Sequence, residues 1–119
     1  MTGSRIQSFL PLKTQWFHIM LSLAREEQHG YGIMQDVAWQ TNDKLQLGPG
    51  TLYGCLKRML AAGLVEESAE RPDPKIDDER RRYYRMTPLG RRVVRAEAER
   101  LAGAVTAARA RRLLAGGKA

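Results

Sequence analysis

The chain holds a single cysteine, Cys55, two histidines and two phenylalanines among 119 residues, and each scarcity narrows what it can be. A lone thiol closes no internal disulfide, so nothing asks for an oxidising compartment, and Cys55 reads as a small core filler. His18 and His29 stand apart without Cys or Asp/Glu at ligand spacing, which leaves no metal cage and makes both structural. Gly48-Pro49-Gly50 lacks the Gly-Lys-Ser/Thr that would follow in a phosphate-cradling loop, and no nucleophile has a base beside it. No enzyme and no cofactor are expected. The longest apolar stretches near the N-terminus are broken by Lys13, His18 and Arg25, so neither a signal peptide nor a membrane span is expected, and the cytoplasm is the expected location.

What is abundant is positive charge. Lys and Arg number 20 against 13 Asp and Glu, a formal charge of +7. The first 50 residues carry four basic and four acidic side chains, so 16 basic against 9 acidic lie from Thr51 onward and the whole excess falls there. Such a balance favours an anionic partner, nucleic acid or anionic lipid. At 43% hydrophobic content the chain has room for one core plus an appendage.

Periodicity divides the chain into an N-terminal arm (1–10) without a periodic signal, a globular domain (11–86), a long helix (87–115) and a short tail (116–119). Leu12, Trp16, Ile19, Met20 and Leu23 repeat at helical spacing and predict a first helix ending near Glu27, with Trp16 as a core residue. The glycines of His29-Gly30-Tyr31-Gly32 interrupt the pattern, and Ile33, Met34, Val37 and Ala38 restart it as a second helix closed by Asn42 and Asp43. Leu52, Cys55, Leu56, Met59 and Leu60 stripe a third helix, which Gly63 should stop. Leu64-Val65-Glu66-Glu67 and Arg81-Arg82-Tyr83-Tyr84-Arg85-Met86 predict two strands joined by an exposed, charged tip over residues 68–80. Tyr83 and Tyr84 alternate in direction, so one of them belongs to the core. Thr87-Pro88 predicts the start of the last helix, in which Val94, Ala98, Leu101, Val105 and Ala108 step by 4, 3, 4 and 3, the seam of a coiled coil and hence an interface with a second copy. The fold class expected is mainly α with a small β-hairpin: a winged helix-turn-helix plus a C-terminal dimerisation helix.

In that architecture the third helix enters the major groove of double-stranded DNA and the strand pair reaches an adjacent backbone. Opposite its core stripe the third helix carries Thr51, Tyr53, Gly54, Lys57 and Arg58. Thr51 sits in the first turn, where a hydroxyl and free amides can meet a phosphate, and Tyr53 and Lys57 share a surface one turn apart. Gly54 would let a backbone approach closely. In the hairpin Arg81 and Arg82 are candidates for phosphate contact, with pairing to Asp77, Asp78 and Glu79 as the alternative. Trp16 and Trp39 are candidates to line an effector pocket, although Trp39, too, reads first as a buried structural residue.

Three blocks resemble the PadR family of bacterial regulators, in order and spacing: Phe17-His18-Ile19-Met20-Leu21 with His29-Gly30-Tyr31-Gly32; Gly48-Pro49-Gly50-Thr51-Leu52-Tyr53 with Leu56, Met59 and Gly63-Leu64-Val65; and Arg82-Tyr83-Tyr84-Arg85-Met86-Thr87 with Gly90. The resemblance spans most of the chain and is to short members with a single C-terminal helix. It implies a homodimeric repressor, with Tyr31, Thr51, Tyr53 and Lys57 at positions expected near DNA. Family members often respond to small molecules, in several cases through aromatic residues at the dimer interface. The last helix here carries no aromatic residue, a departure from that pattern.

Two other functions fit parts of the same sequence. The fold also serves as a protein-interaction module without DNA binding, which would call for an apolar or acidic third-helix face; from Thr51 to Val65 there is no acidic residue. A membrane-surface role for the arginine- and alanine-rich last helix would need a bulky apolar face that it lacks.

Overall fold

The computed structural model describes residues 2–68 and 82–115. Eight elements follow one another: α1 (Thr2–Gln7), α2 (Thr14–Arg25), β1 (Gln28–His29), α3 (Gly30–Gln40), α4 (Pro49–Ala61), β2 (Val65–Ser68), β3 (Tyr83–Met86) and α5 (Pro88–Ala110). The strands form an antiparallel sheet in the order β1-β3-β2, with Gln28 opposite Tyr84 on one side of β3 and Glu67 opposite Tyr84 on the other.

The apolar periods of the sequence become one core. Ile19, Met20 and Leu23 of α2, Ile33 and Val37 of α3, and Leu52, Cys55, Leu56 and Met59 of α4 are buried together with Val65, Tyr84, Met86, Val93 and Val94. Burial of a side chain of this size contributes roughly 1.5–3 kcal/mol relative to exposure, which is why the stripes decide the packing. Of the adjacent tyrosines, Tyr84 faces inward and Tyr83 is half-buried, as alternation requires.

The ends of the helices are set by local chemistry. His29 caps α3 by accepting the Gly32 amide on Nδ1 at 2.9 Å. Pro49 occupies the first turn of α4 with Gly48 as its N-cap, so the helix starts two residues before Thr51. At the other end of α4, Gly63 takes φ +78°, the left-handed turn open to glycine, and Leu64 donates to the Met59 carbonyl at 3.0 Å. Thr87 then ties this end to α5: its hydroxyl donates to the Gly63 carbonyl at 2.6 Å and accepts the Gly90 amide at 3.0 Å, while its own amide donates to Leu64 O at 3.1 Å. Gly90 is required here, because a Cβ would collide with the Leu64 carbonyl oxygen and lie 2.7 Å from Met86 Cγ.

The structure departs from the sequence reading at four places. The N-terminal arm, left without assignment, contains α1, and Ile6, Phe9 and Leu10 pack on the core from that side. A third strand, β1, joins the expected pair; it is two residues long, too short for an alternation to register in the sequence, and exists by pairing with β3. The Gln28 side chain secures it from behind, donating to Ser22 O at 2.8 Å and Ser22 Oγ at 2.7 Å. Trp39 is 79% exposed rather than buried: it lies two residues past Val37, about 200° around the helix, and faces solvent. Val94, the first seam position, is 7% exposed and packs within this chain's own core. Glu97 is buried at 2% exposure, held by Arg100, whose Nε and Nη2 donate to its two carboxylate oxygens at 2.7 and 2.8 Å. The expected hairpin tip and Arg81 lie outside the described residues.

Candidate nucleic-acid interface

With the core stripe of α4 turned inward, the opposite arc of the helix is clear of the domain. Thr51, Lys57 and Arg58 are exposed, Tyr53 is 37% exposed and Gly54 is half-buried. Successive turns place Thr51, Gly54 and Arg58 along one side of the arc and Tyr53 and Lys57 along the other. Among the described residues Lys57 and Arg58 take part in no ion pair, whereas Arg25, Arg82, Arg85 and Arg100 all do. Two cations without an ion pair among the described residues therefore stand one after the other on this arc.

Tyr53 is fixed against the neighbouring helix. A Cβ at Gly30 would collide with the Tyr53 hydroxyl, so the ring lies directly on the first residue of α3. Next to it Tyr31 is 58% exposed, 6.5 Å from the His29 ring, which in turn meets Tyr83 edge-on at 5.3 Å. Tyr53, Tyr31, His29 and Tyr83 thus join α4, the start of α3, β1 and β3 into one continuous surface. His29 and Gly30 are members of it that spacing alone does not reveal: their roles depend on the capping bond and on the proximity of α4. The doublet of glycines around Tyr31 is the signal that could have shown a close approach.

Gly54 has no steric need to be glycine within this chain. A Cβ there would meet only the Arg58 guanidinium, at 3.6 Å, an ordinary contact. Cys55, on the inner side of the same turn, is buried, and that burial pushes its thiol up in pKa against the smaller opposing pull of Arg58 and Lys13. It stays a protonated core residue.

The strand pair is less basic than its sequence suggests. Arg85 Nε donates to Glu66 Oε1 at 3.0 Å and Arg82 Nη1 lies 3.7 Å from Glu67 Oε1, so the acids of β2 face Arg85 of β3 and Arg82 just before it. On α5, Ala98 and Val105 are exposed while Leu101 and Ala108 are half-buried. These residues share a side of the helix with Gly90, Val94 and Glu97, so the stripe that packs on the domain continues beyond it. The two tryptophans do not come together in one pocket. An open cavity of about 390 Å³ beside Trp39 is lined by Gln35, Ala38, Asn42 and Asp43, whereas Trp16 is half-buried with Lys13 Nζ 5.7 Å from its ring centre. Among the described residues no three His, Cys, Asp or Glu side chains gather as a metal site, and no helix is long and apolar enough to cross a membrane.

Residues 19–96 match a family model described as the transcriptional regulator PadR-like family. A 37.1 kDa protein of transposon Tn4556 from Streptomyces fradiae is 34% identical over 84 residues, 71% of this chain but 22% of that protein. Transcriptional regulator Rv3488 of Mycobacterium tuberculosis is 35% identical over 74 residues, 62% of this chain and 63% of its own length. The chain thus spans less than two thirds of either relative. A PadR family transcription regulator from Clostridium difficile R20291 superposes with a TM-score of 0.66 at 21% identity, over 82% of this chain and 96% of that one, a likeness of fold.

Proposed function

The chain belongs to the PadR-like family of transcriptional regulators, and from that premise we propose that it is a homodimeric repressor that binds double-stranded DNA through α4. The family is one of regulators rather than enzymes. The observation that carries the reading is the outer arc of α4: exposed, free of acidic residues, and bearing Lys57 and Arg58 without ion pairs among the described residues. A helix seated in the major groove needs such an arc, with cations for the phosphate walls and small or hydrogen-bonding residues toward the bases. Thr51 and the first amides of α4 are suited to one phosphate, Lys57 and Arg58 to others, and Tyr31 flanks the groove from the start of α3. Gly54 lets the helix sit deep.

Dimerisation through α5 is the second part of the proposal. Its apolar stripe leaves the domain and continues through Leu101, Val105 and Ala108, surface that a second copy would cover. Two α4 helices related by a twofold axis would read half-sites about one helical turn, roughly 10 bp, apart in a pseudo-palindrome. Release by a small molecule belongs to the same reading, and the cavity beside Trp39 is its candidate seat.

Titration of a labelled duplex at several salt concentrations tests the core of this. Affinity should fall steeply with salt, because each phosphate neutralised contributes about 0.9 to the slope of log K on log salt. Lys57→Ala should weaken binding to every duplex and reduce that slope by about 1 per protomer if the ammonium meets a phosphate. Absence of duplex binding at low ionic strength would overturn the proposal.

A further inference from the structure

Sheet register separates the two arginine–glutamate pairs of the wing. Val65 pairs with Met86 and Glu67 with Tyr84, while Glu66 pairs with Arg85. Because side chains alternate along a strand, Val65, Glu67, Tyr84 and Met86 lie on one face and Glu66 and Arg85 on the other. Val65, Tyr84 and Met86 are buried, so theirs is the face turned to the helices; Glu67 shares it but, on the edge strand β2, is exposed. Glu67 and Arg82 therefore stand on the side of the sheet that holds α4, and Glu66 and Arg85 on its back.

The two pairs also differ in grip. Arg85 and Glu66 sit directly opposite each other and share a 3.0 Å hydrogen bond. Arg82 and Glu67 are 3.7 Å apart, an ion pair without hydrogen-bond contact, with side chains 63% and 48% exposed. The Tyr84 hydroxyl is pushed up in pKa first by burial and then by the Glu67 carboxylate and by Tyr53, while Arg82 opposes the rise by its charge and as a hydrogen-bonding neighbour, so the hydroxyl feels both members of the pair as well as Tyr53. That places the loose pair beside the tyrosine that α4 presents.

We infer that Glu67 is a specificity-determining residue: by holding Arg82 it keeps this guanidinium off the phosphates of DNA of arbitrary sequence and so limits non-specific binding. This rests on the reading of α4 as the DNA-binding helix. The physical reason is competition. An exposed pair of this length is weak, yet a carboxylate beside the guanidinium cancels the positive charge that would otherwise gather a phosphate, and counterion release is the main source of sequence-independent affinity. Glu66 cannot act in the same way, since its arginine points from the back of the sheet.

The test is a salt series with one non-palindromic duplex, comparing the full chain with Glu67→Gln, Glu66→Gln, Arg82→Gln and the double variant Glu67→Gln/Arg82→Gln. Glu67→Gln should raise affinity at low salt about fivefold or more and steepen the salt slope by about 0.9 per protomer, one phosphate each. Glu66→Gln and Arg82→Gln alone should change affinity less than about twofold, and the double variant should lose the whole gain of Glu67→Gln, the coupling that a double-mutant cycle isolates. A gain that persists without Arg82 would mean a general charge effect and overturn the inference, as would no gain at all. An Arg82→Gln loss equal to that of Lys57→Ala would overturn it too, by showing Arg82 already on a phosphate. If the unaltered chain binds duplex and Lys57→Ala weakens it, these outcomes judge Glu67 alone; if the unaltered chain binds no duplex, both readings fall.

Discussion

Gly54→Ala separates stability from binding in one substitution. Glycine in a helix interior is less favourable than alanine by about 0.8–1 kcal/mol, through the backbone freedom it loses on folding. Some glycines are retained because a neighbour needs the space, as Gly90 is, but a methyl at position 54 would touch only the tip of the Arg58 side chain at 3.6 Å. The folded chain should therefore gain nearly the full difference, about 1 kcal/mol, or about 3–6 °C in Tm for a domain of this size. Gly103, in the middle of α5 with nothing within 4 Å of a Cβ, supplies the control, and Gly103→Ala should stabilise by a similar amount. The two variants should part company on DNA. If α4 approaches the duplex closely at Gly54, a methyl there removes about 1 kcal/mol or more from a contact, at least about fivefold in affinity, whereas Gly103→Ala should bind as the unaltered chain does. Urea unfolding at fixed protein concentration gives the first quantity and fluorescence anisotropy the second. Stabilisation with undiminished DNA affinity would refute the close approach, and destabilisation would refute the geometry of the exposed arc itself.

Three further outcomes test other parts of the molecule. Gly90→Ala forces a methyl into the Leu64 carbonyl, a backbone atom that cannot swing aside, and should destabilise by about 1–3 kcal/mol or more in urea unfolding, a cost typical of overpacking. Leu101→Glu buries an unpaired carboxylate in the proposed seam at a cost of several kcal/mol, so sedimentation should show monomer; an unchanged dimer would move the interface elsewhere. Glu97 is held below the ordinary carboxylate range chiefly by its hydrogen bonds from Arg100, against the opposing effect of burial, with the Leu12 backbone assisting. A lowered folded pKa means that its stabilising contribution is complete above the unfolded value of about 4.3 and is lost as pH falls through the lower folded one. Arg100→Gln should therefore bring acid unfolding in at higher pH, read by circular dichroism, and an unshifted acid transition would show that the pair does not contribute.

Much of this architecture is legible in the sequence because it depends on local repeats. The stripes of α2, α3 and α4, the Gly63 stop and the Thr87-Pro88 start each follow from a few adjacent residues, and the polar arc of α4 is what remains once its core stripe is assigned. What escapes is non-local. Strand β1 exists only through β3, and the burial of Glu97 depends on the Arg100 guanidinium and the Leu12 backbone that meet its carboxylate. Among the described residues Arg82 and Arg85 pair with Glu67 and Glu66 of β2. The sheet register that brings these pairs together is not visible in the sequence, and the hairpin acids Asp77, Asp78 and Glu79, the alternative partners, lie outside the described residues. Trp39 failed for a different reason: in a helix of 11 residues a large aromatic next to Ala38 looks like core, and only the phase fixed by Ile33 and Val37 turns it outward.

The junction of α4 with α5 bears on what kind of operator such a protein could accept. Between the end of α4 and the start of α5 the sheet intervenes in sequence, but in space the two helix ends meet at Gly63, Leu64, Thr87 and Gly90. One side chain, Thr87, both caps α5 and bonds the turn that ends α4, while Gly90 rests on the Leu64 carbonyl with no room for a methyl. The angle between the two helices is thus fixed by backbone contacts and not by a linker. In a dimer built on α5, two copies of that angle would determine the distance between the α4 helices, so half-site spacing would be a property of the fold and changes of even one base pair, rotating a half-site by roughly 35° about the duplex, should be poorly tolerated.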